Sequence, residues 1–227
     1  MKTGTASPLR LAHRGDWRAA PENSLEALVA ATRIRGCDGV EFDVRLSRDG
    51  VPVLLHDEML GRVQRRPERV DALDAVTLAC AGIPTLTGVL DALPLSAFLD
   101  VELKGDAHGE PTAAVLRTAR GDAPERALVS SFEPATLDTM RTLLPGWRRW
   151  LNAEDLGPAT LSMALGLGCS GVSALWGEIT TETFRRASDA GLDVAAWTVR
   201  SAPMVERLGR LGVVACCVEG EALGEPA

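Results

Sequence analysis

The chain has 227 residues, 46% hydrophobic and 24% charged, the composition of a folded globular protein and not of a disordered one. Its formal net charge is −7, and no run of Lys or Arg exceeds two residues, which excludes the basic footprint of a nucleic-acid binder. An anionic small-molecule substrate would therefore have to be held by a local cluster of cations.

From the start of the chain, Met1–Arg10 carries one Lys and one Arg with no apolar run behind them. Neither a signal peptide nor a membrane anchor is expected there, and no later stretch has the roughly 18 apolar residues of a spanning helix. Strands are predicted at 9–13, 39–44, 97–103, 126–131, 147–151, 170–175, 193–199 and 213–218. Helices are predicted between them, at 23–35, 85–93, 111–120, 134–144, 158–167, 180–190 and 202–211. Each helical stretch repeats apolar residues at spacings of three and four, as in Leu25, Leu28 and Val29. Asn23 with Glu26, and Thr180 ahead of Glu182, read as helix starts; glycines 36, 121, 191 and 212 read as stops. Eight strands alternating with helices imply a closed parallel barrel or a doubly wound sheet in one domain spanning 1–227. The alternation does not choose between the two.

One short run interrupts the pattern. Val51-Pro52-Val53-Leu54-Leu55 follows the second strand after only Ser47-Arg48-Asp49-Gly50, too short a link for a parallel crossover, so the run must return antiparallel. With Asp49-Gly50 as a two-residue turn, Arg48 pairs with Val51, and Asp43 lies opposite His56. Glu41 is two residues before Asp43, on the same face. Two carboxylates and an imidazole would then meet at the C-terminal end of a barrel strand, where barrel active sites form.

The other chemistry-bearing residues fall at strand ends too. His13-Arg14-Gly15 closes the first strand, and Glu102-Leu103-Lys104 closes the third. Carboxylates aimed into a barrel are costly unless paired or bound to metal. Glu41, Asp43 and Glu102 offer only hard oxygen ligands, which suit one divalent cation, Mg²⁺ or Ca²⁺, better than zinc. With Arg14 and Lys104 that cation would neutralise a phosphate, while His13 and His56 exchange protons near neutral pH. The chemistry implied is phosphodiester cleavage. The five cysteines (37, 80, 169, 216 and 217) are odd in number with no Cys-x-x-Cys pair. They suggest buried, reduced thiols in a cytoplasmic protein and argue against zinc.

His13-Arg14-Gly15, Pro21-Glu22-Asn23-Ser24, Glu41-x-Asp43-Val44, Asp49-Gly50 and Val53-x-x-His56-Asp57 resemble, in order and spacing, the signature of the glycerophosphodiester phosphodiesterases. The shorter matches Ile83-Pro84-Thr85-Leu86, Glu102-Leu103-Lys104, Ser130-Ser131-Phe132 and Trp197-Thr198-Val199 extend the resemblance to about 9–218. The resemblance implies a single (β/α)₈ TIM barrel, with the short extra β-hairpin after the second strand. It implies metal-dependent cleavage to sn-glycerol 3-phosphate and an alcohol, by way of attack from the neighbouring glycerol hydroxyl. It makes His13 and His56 the acid–base pair, Glu41, Asp43 and Glu102 the metal ligands, and Arg14 and Lys104 the phosphate contacts.

The chain departs from the family pattern in three places. Glu58–Gly82 is short and has Gly61-Arg62-Val63 where Arg-Thr-Thr is usual; Val218-Glu219 replaces Thr-Asp; and Arg200 stands in place of Asn. These bear on substrate identity, leaving cleavage of lysophospholipids or other phosphodiesters as the alternative. A non-catalytic binding domain would be expected to lose one of the five key residues, and none is lost.

Plainer roles compete for single residues. Glu22 and Asn23 read as a helix start with Asn23 as N-cap, and Glu102–Lys104 as a structural ion pair. Asp57 either orients a histidine or caps a turn. Trp197 and Phe132 form either a substrate wall or core, with Trp197 taken as a substrate contact. His108 reads as an exposed loop residue outside the site. Oligomeric state is left open.

Overall fold

In the computed structural model, which describes residues 7–105 and 107–225, the strands are β1 (Leu9–His13), β2 (Gly39–Leu46), β3 (Pro52–Leu54), β4 (Phe98–Leu103), β5 (Ala127–Ser131), β6 (Arg148–Ala153), β7 (Gly171–Leu175), β8 (Asp193–Val199) and β9 (Ala215–Val218). Residues 1–6, on which part of the N-terminal reading falls, lie outside the described residues. All strands but β3 are parallel, and β1 bonds to both β2 and β9. That double pairing closes an eight-stranded barrel and decides against the open sheet, which the sequence alternation alone permits.

Strand periodicity divides the side chains into two sets. Val40, Phe42 and Val44 of β2, with Leu99, Val101 and Leu103 of β4, face outward into the main core. There they meet one row of residues from each covering helix: α1 (Leu25–Ala31) through Leu28, and α4 (Leu86–Ala92) through Leu86 and Val89. The same core receives Leu116 of α5 (Glu110–Arg120) and Leu137 of α6 (Pro134–Leu143). It also takes Leu161 of α7 (Pro158–Gly166), Ala187 of α8 (Thr181–Asp189) and Leu208 of α9 (Ala202–Leu211). The inward set is stacked. Leu11, Phe98, Leu128, Trp150, Ala195 and Ala215 pack as an apolar floor. One step further along the strands the buried inward residues turn polar: Glu41, Asp100, Ser130, Asn152 and Ser173. The apolar floor excludes water from below, so the polar layer opens only at the C-terminal mouth.

The extra strand is present, with a register different from the one expected. Val44 faces Leu54 and Leu46 faces Pro52, so Leu55, whose amide donates to the Asp43 carbonyl at 3.1 Å, stands opposite Asp43 instead of His56. The turn has three residues, not two. The Ser47 amide donates to the Val51 carbonyl, and Gly50 takes the left-handed conformation at φ +77°, which forms the bulge of a three-residue hairpin loop. His56 lies just beyond the strand, free of its alternation, and reaches the mouth by that route.

Three further expectations are corrected. Helix α1 begins at Leu25 and is capped by Ser24, whose hydroxyl accepts the Ala27 amide; Asn23 stands outside it at φ +57°. Glu58–Gly82, without a predicted element, folds as α2 (Gly61–Gln64), a 3₁₀ turn at Val70–Ala72 and α3 (Ala75–Cys80). Its residues Leu60, Val70 and Leu78 build a second small core with Val53, Leu55 and Ile83. The cysteines are all free but not all buried, since Cys80 is exposed. No helix among the described residues is long and apolar enough to cross a membrane.

Candidate active site

Barrel register alone assembles the carboxylates. Asp43 is the lateral neighbour of Glu102, so the adjacent strands β2 and β4 bring Glu41, Asp43 and Glu102 to one point, with His13 of β1 beside Glu41. One oxygen from each lies within 4.8 Å of the others, and all three residues are buried. Among the described residues Glu41 Oε1 has no hydrogen-bond partner, and Asp43 Oδ1 has only the ion pair with Lys104 at 3.2 Å. Unpaired buried carboxylate oxygens carry a penalty of several kcal/mol per ion unless a cation meets them. The donor set is hard oxygen throughout, and it fits Mg²⁺ or Ca²⁺.

The electrostatics point the same way. Burial, reinforced by Asp43 and Glu102, pushes the Glu41 carboxyl well above its ordinary range. Burial and then Asp43 raise Glu102 to about 7, against the pull of Lys104. Asp43 is fully buried too, but Lys104 and Arg14 outweigh that burial and hold it at about 2. Lys104 touches Glu102 and lies 3.2 Å from Asp43 Oδ1; Arg14 Nε lies 3.0 Å from Asp43 Oδ2. Two fixed cations thus keep one of three carboxyls firmly ionised. A further positive charge is needed to hold all three as carboxylates at neutral pH.

Each of the two site histidines is held at Nδ1 by a carboxylate. His13 Nδ1 is 2.5 Å from Glu219 Oε1, leaving Nε2 on the cluster side, 3.8 Å from Glu41. His56 Nδ1 is 2.6 Å from Asp57 Oδ1. Fixing one nitrogen leaves the other to exchange protons in a set orientation. Burial, opposed by Asp43 and Asp57, lowers the His56 pKa. The backbone helps to aim His13. Gly15 turns at φ +89°, and a Cβ there would lie 2.6 Å from the Ala27 backbone, so the chain leaving His13-Arg14 can press directly onto α1.

The structure brings every expected site residue to one mouth. His13, Arg14, Glu41, His56, Glu102, Lys104 and Trp197 line a cavity of about 150 Å³, and the wholly buried Asp43 sits behind them. Trp197 packs edge-on to Phe132 at 5.4 Å, and Phe132, 42% exposed, is a wall residue and not core. His108 is partly buried, contrary to the exposed position expected; it contacts the Gly105 carbonyl and does not line this cavity.

Of four supporting residues, only Asp57 had its observed role among the readings the sequence offered. Asn23 is no helix cap. Its Nδ2 donates to Asp43 Oδ2 at 2.9 Å, and its Oδ1 accepts the Asp43 amide at 3.2 Å. It thereby fills the edge of β2 between the end of β1 and the end of β3. Glu22 pairs with Arg14. Asp57 orients His56, which was one of its two open readings. Glu219, met in the sequence only as a departure from a family pattern, holds His13. The signal for Glu219 was available: β9 neighbours β1 once the barrel closes, so the residue after Val218 arrives beside His13.

The sequence profile of the glycerophosphoryl diester phosphodiesterase family matches residues 13–219, running from His13 to Glu219. A glycerophosphodiester phosphodiesterase of Caldanaerobacter subterraneus subsp. tengcongensis is 28% identical over 222 residues, covering 90% of this chain and 91% of that protein. Among solved structures, a phosphodiesterase of Oleispira antarctica in complex with the product sn-glycerol-3-phosphate aligns with a TM-score of 0.81. It is 26% identical, over 93% of this chain and 92% of that one. The glycerophosphodiester phosphodiesterase of Thermotoga maritima shares the fold, with a TM-score of 0.78 at 23% identity over 96% of each chain. The chain therefore belongs to the glycerophosphoryl diester phosphodiesterase family, a family of phosphoric diester hydrolases.

Proposed function

We propose that this protein hydrolyses glycerophosphodiesters to sn-glycerol 3-phosphate and an alcohol, using one divalent cation, Mg²⁺ or Ca²⁺, held by Glu41, Asp43 and Glu102. The observation that carries the reading is the placement of two carboxylate-held imidazoles around a buried three-carboxylate cluster in which Glu41 Oε1 meets no partner among the described residues. When bound, the cation supplies positive charge against the phosphoryl oxygens. Arg14 and Lys104 add the fixed charges that hold the phosphate, and Trp197 with Phe132 forms the apolar side of the cavity against the substrate's carbon skeleton.

Cleavage forms a bond from phosphorus to an incoming oxygen and breaks the bond to the alcohol oxygen. One proton must leave the attacking oxygen, of the neighbouring glycerol hydroxyl first and then of the water that opens the resulting cyclic phosphate, and one must reach the departing oxygen each time. His13 and His56 perform these two transfers, each through Nε2, since each Nδ1 is tied to a carboxylate. The chain, 1–227, acts as one catalytic domain. The free cysteines fit a reducing compartment, the cytoplasm.

The test is a panel of glycerophosphodiesters with choline, ethanolamine, inositol and glycerol arms, assayed for released sn-glycerol 3-phosphate. Release that disappears in the His13→Ala and His56→Ala proteins is expected. Turnover of lysophospholipids or aryl diesters with none on the panel would overturn the substrate and leave the reaction class.

A further inference from the structure

An unbroken chain of alternating charges runs around the mouth from His56 to Asp43, and Arg62 of α2 is its central link. Arg62 Nε lies 2.7 Å from Asp57 Oδ2, while Nη1 and Nη2 lie 2.7 Å from Glu22 Oε2 and Oε1. On one side Asp57 then holds His56; on the other, Glu22 Oε1 accepts Arg14 Nη1 at 3.0 Å, and Arg14 pairs with Asp43. Glu22 is nearly buried and Asp57 partly so, whereas Arg62 itself is half exposed. A half-exposed ion pair adds little stability. A guanidinium that grips two carboxylates with its whole fork instead fixes geometry.

We propose that Arg62 is a positioning residue for His56: by clamping Asp57 against Glu22 it keeps the His56 proton on Nδ1 and Nε2 aimed into the cavity. This rests on the reading of His56 as a proton-transfer group. Asp57 is 28% exposed and follows His56 directly in the chain, and the only side chain besides His56 that its carboxylate hydrogen-bonds, among the described residues, is Arg62. Without the clamp Asp57 can turn to solvent and the imidazole loses its fixed partner. Lysine cannot take over the role, because one ammonium cannot span Asp57 and both Glu22 oxygens. The clamp also anchors α2, and with it the segment 58–82, to the barrel mouth.

Two readouts separate positioning from mere anchoring. In Arg62→Ala and in Arg62→Lys, kcat for the panel substrate is expected to fall about 10- to 100-fold with KM changed less than about threefold, the usual pattern for losing a partner that orients a reacting group. Long-range proton–nitrogen correlation spectra of the three histidines, recorded at alkaline pH on the intact protein, should place the His56 proton on Nδ1 in the parent. It should leave Nδ1 in both variants, while His13 and His108 keep their spectra. Thermal unfolding of the Lys variant should stay close to the parent. Retained kcat, or a His56 tautomer that is not Nδ1–H in the parent or does not change in the variants, would overturn the proposal. A His56→Ala protein with parental kcat would instead sink the role given to His56 itself.

Discussion

Asn23 gives the sharpest test of how the site is held. Among the described residues, its side chain is the hydrogen-bond acceptor for the buried Asp43 amide and one of two groups on Asp43 Oδ2. Asn23→Ala removes both bonds. The amide is left unsatisfied in the interior, at about 1–3 kcal/mol, and the carboxylate oxygen, which keeps Arg14, loses about 1 kcal/mol more. Alanine must also hold φ near +57°, a conformation that costs an ordinary residue roughly 1–2 kcal/mol. The sum is about 3–6 kcal/mol, or a melting point lower by roughly 6–24 °C at this chain length. Asn23→Gly loses the same bonds but not the backbone strain, so it should be destabilised by about 1 kcal/mol less than the alanine protein, after glycine's own entropy cost is counted. Urea unfolding of the three proteins, with m-values required to agree, measures both differences. Losses under about 1 kcal/mol for either variant would refute the strand-edge role of Asn23; equal losses for Ala and Gly would refute the strain.

Three other perturbations test separate parts of the structure. Glu219→Gln should lower kcat about 10- to 100-fold with little change in KM, as expected when a histidine loses its orienting carboxylate; parental kcat would show that His13 needs no such partner. Leu78→Ala, at a fully buried position of the small second core, should cost about 2–5 kcal/mol. The loss should appear as faster hydrogen exchange in 58–82 and not in the barrel strands, and uniform loss would mean the two cores unfold together. In EDTA, stability should fall as pH rises from about 5 to 7. Glu41 and Glu102 are raised in the folded state, so there the folded protein binds more protons than the unfolded chain, and stability present at lower pH is lost at up to ~1.4 kcal/mol per pH unit for each group. Added Mg²⁺ or Ca²⁺ should reverse most of that loss at pH 8. A melting point that is flat or rises with pH in EDTA would contradict the raised carboxyls.

The barrel strands were legible because outward rows such as Val40-Phe42-Val44 pack on helices whose own apolar spacing is just as regular. The carboxylate and histidine positions were legible because Glu41-x-Asp43 puts two acids on one face of a strand and His56-Asp57 follows the end of the next. Closure was not, since only the pairing of β1 with β9 reveals it. The hairpin register slipped by one residue because Asp49-Gly50 suits both a two-residue turn and a three-residue loop with Gly50 left-handed. Helices α2 and α3 span four and six residues, too short to show a period of 3.6. Asn23, Arg62 and Glu219 act through partners 20, 40 and 206 positions away. No local pattern carries such pairings until the barrel brings them together.

The most direct measurement is sn-glycerol 3-phosphate release from one glycerophosphodiester by EDTA-stripped protein, before and after adding Mg²⁺ or Ca²⁺, for the parent and for Glu41→Gln. If Glu41, Asp43 and Glu102 hold the cation, stripped parent is inactive and recovers fully, and the variant recovers at most a small fraction at the same cation concentration. Undiminished turnover in EDTA, or a variant that recovers like the parent, would contradict a cation-dependent reaction at this carboxylate cluster.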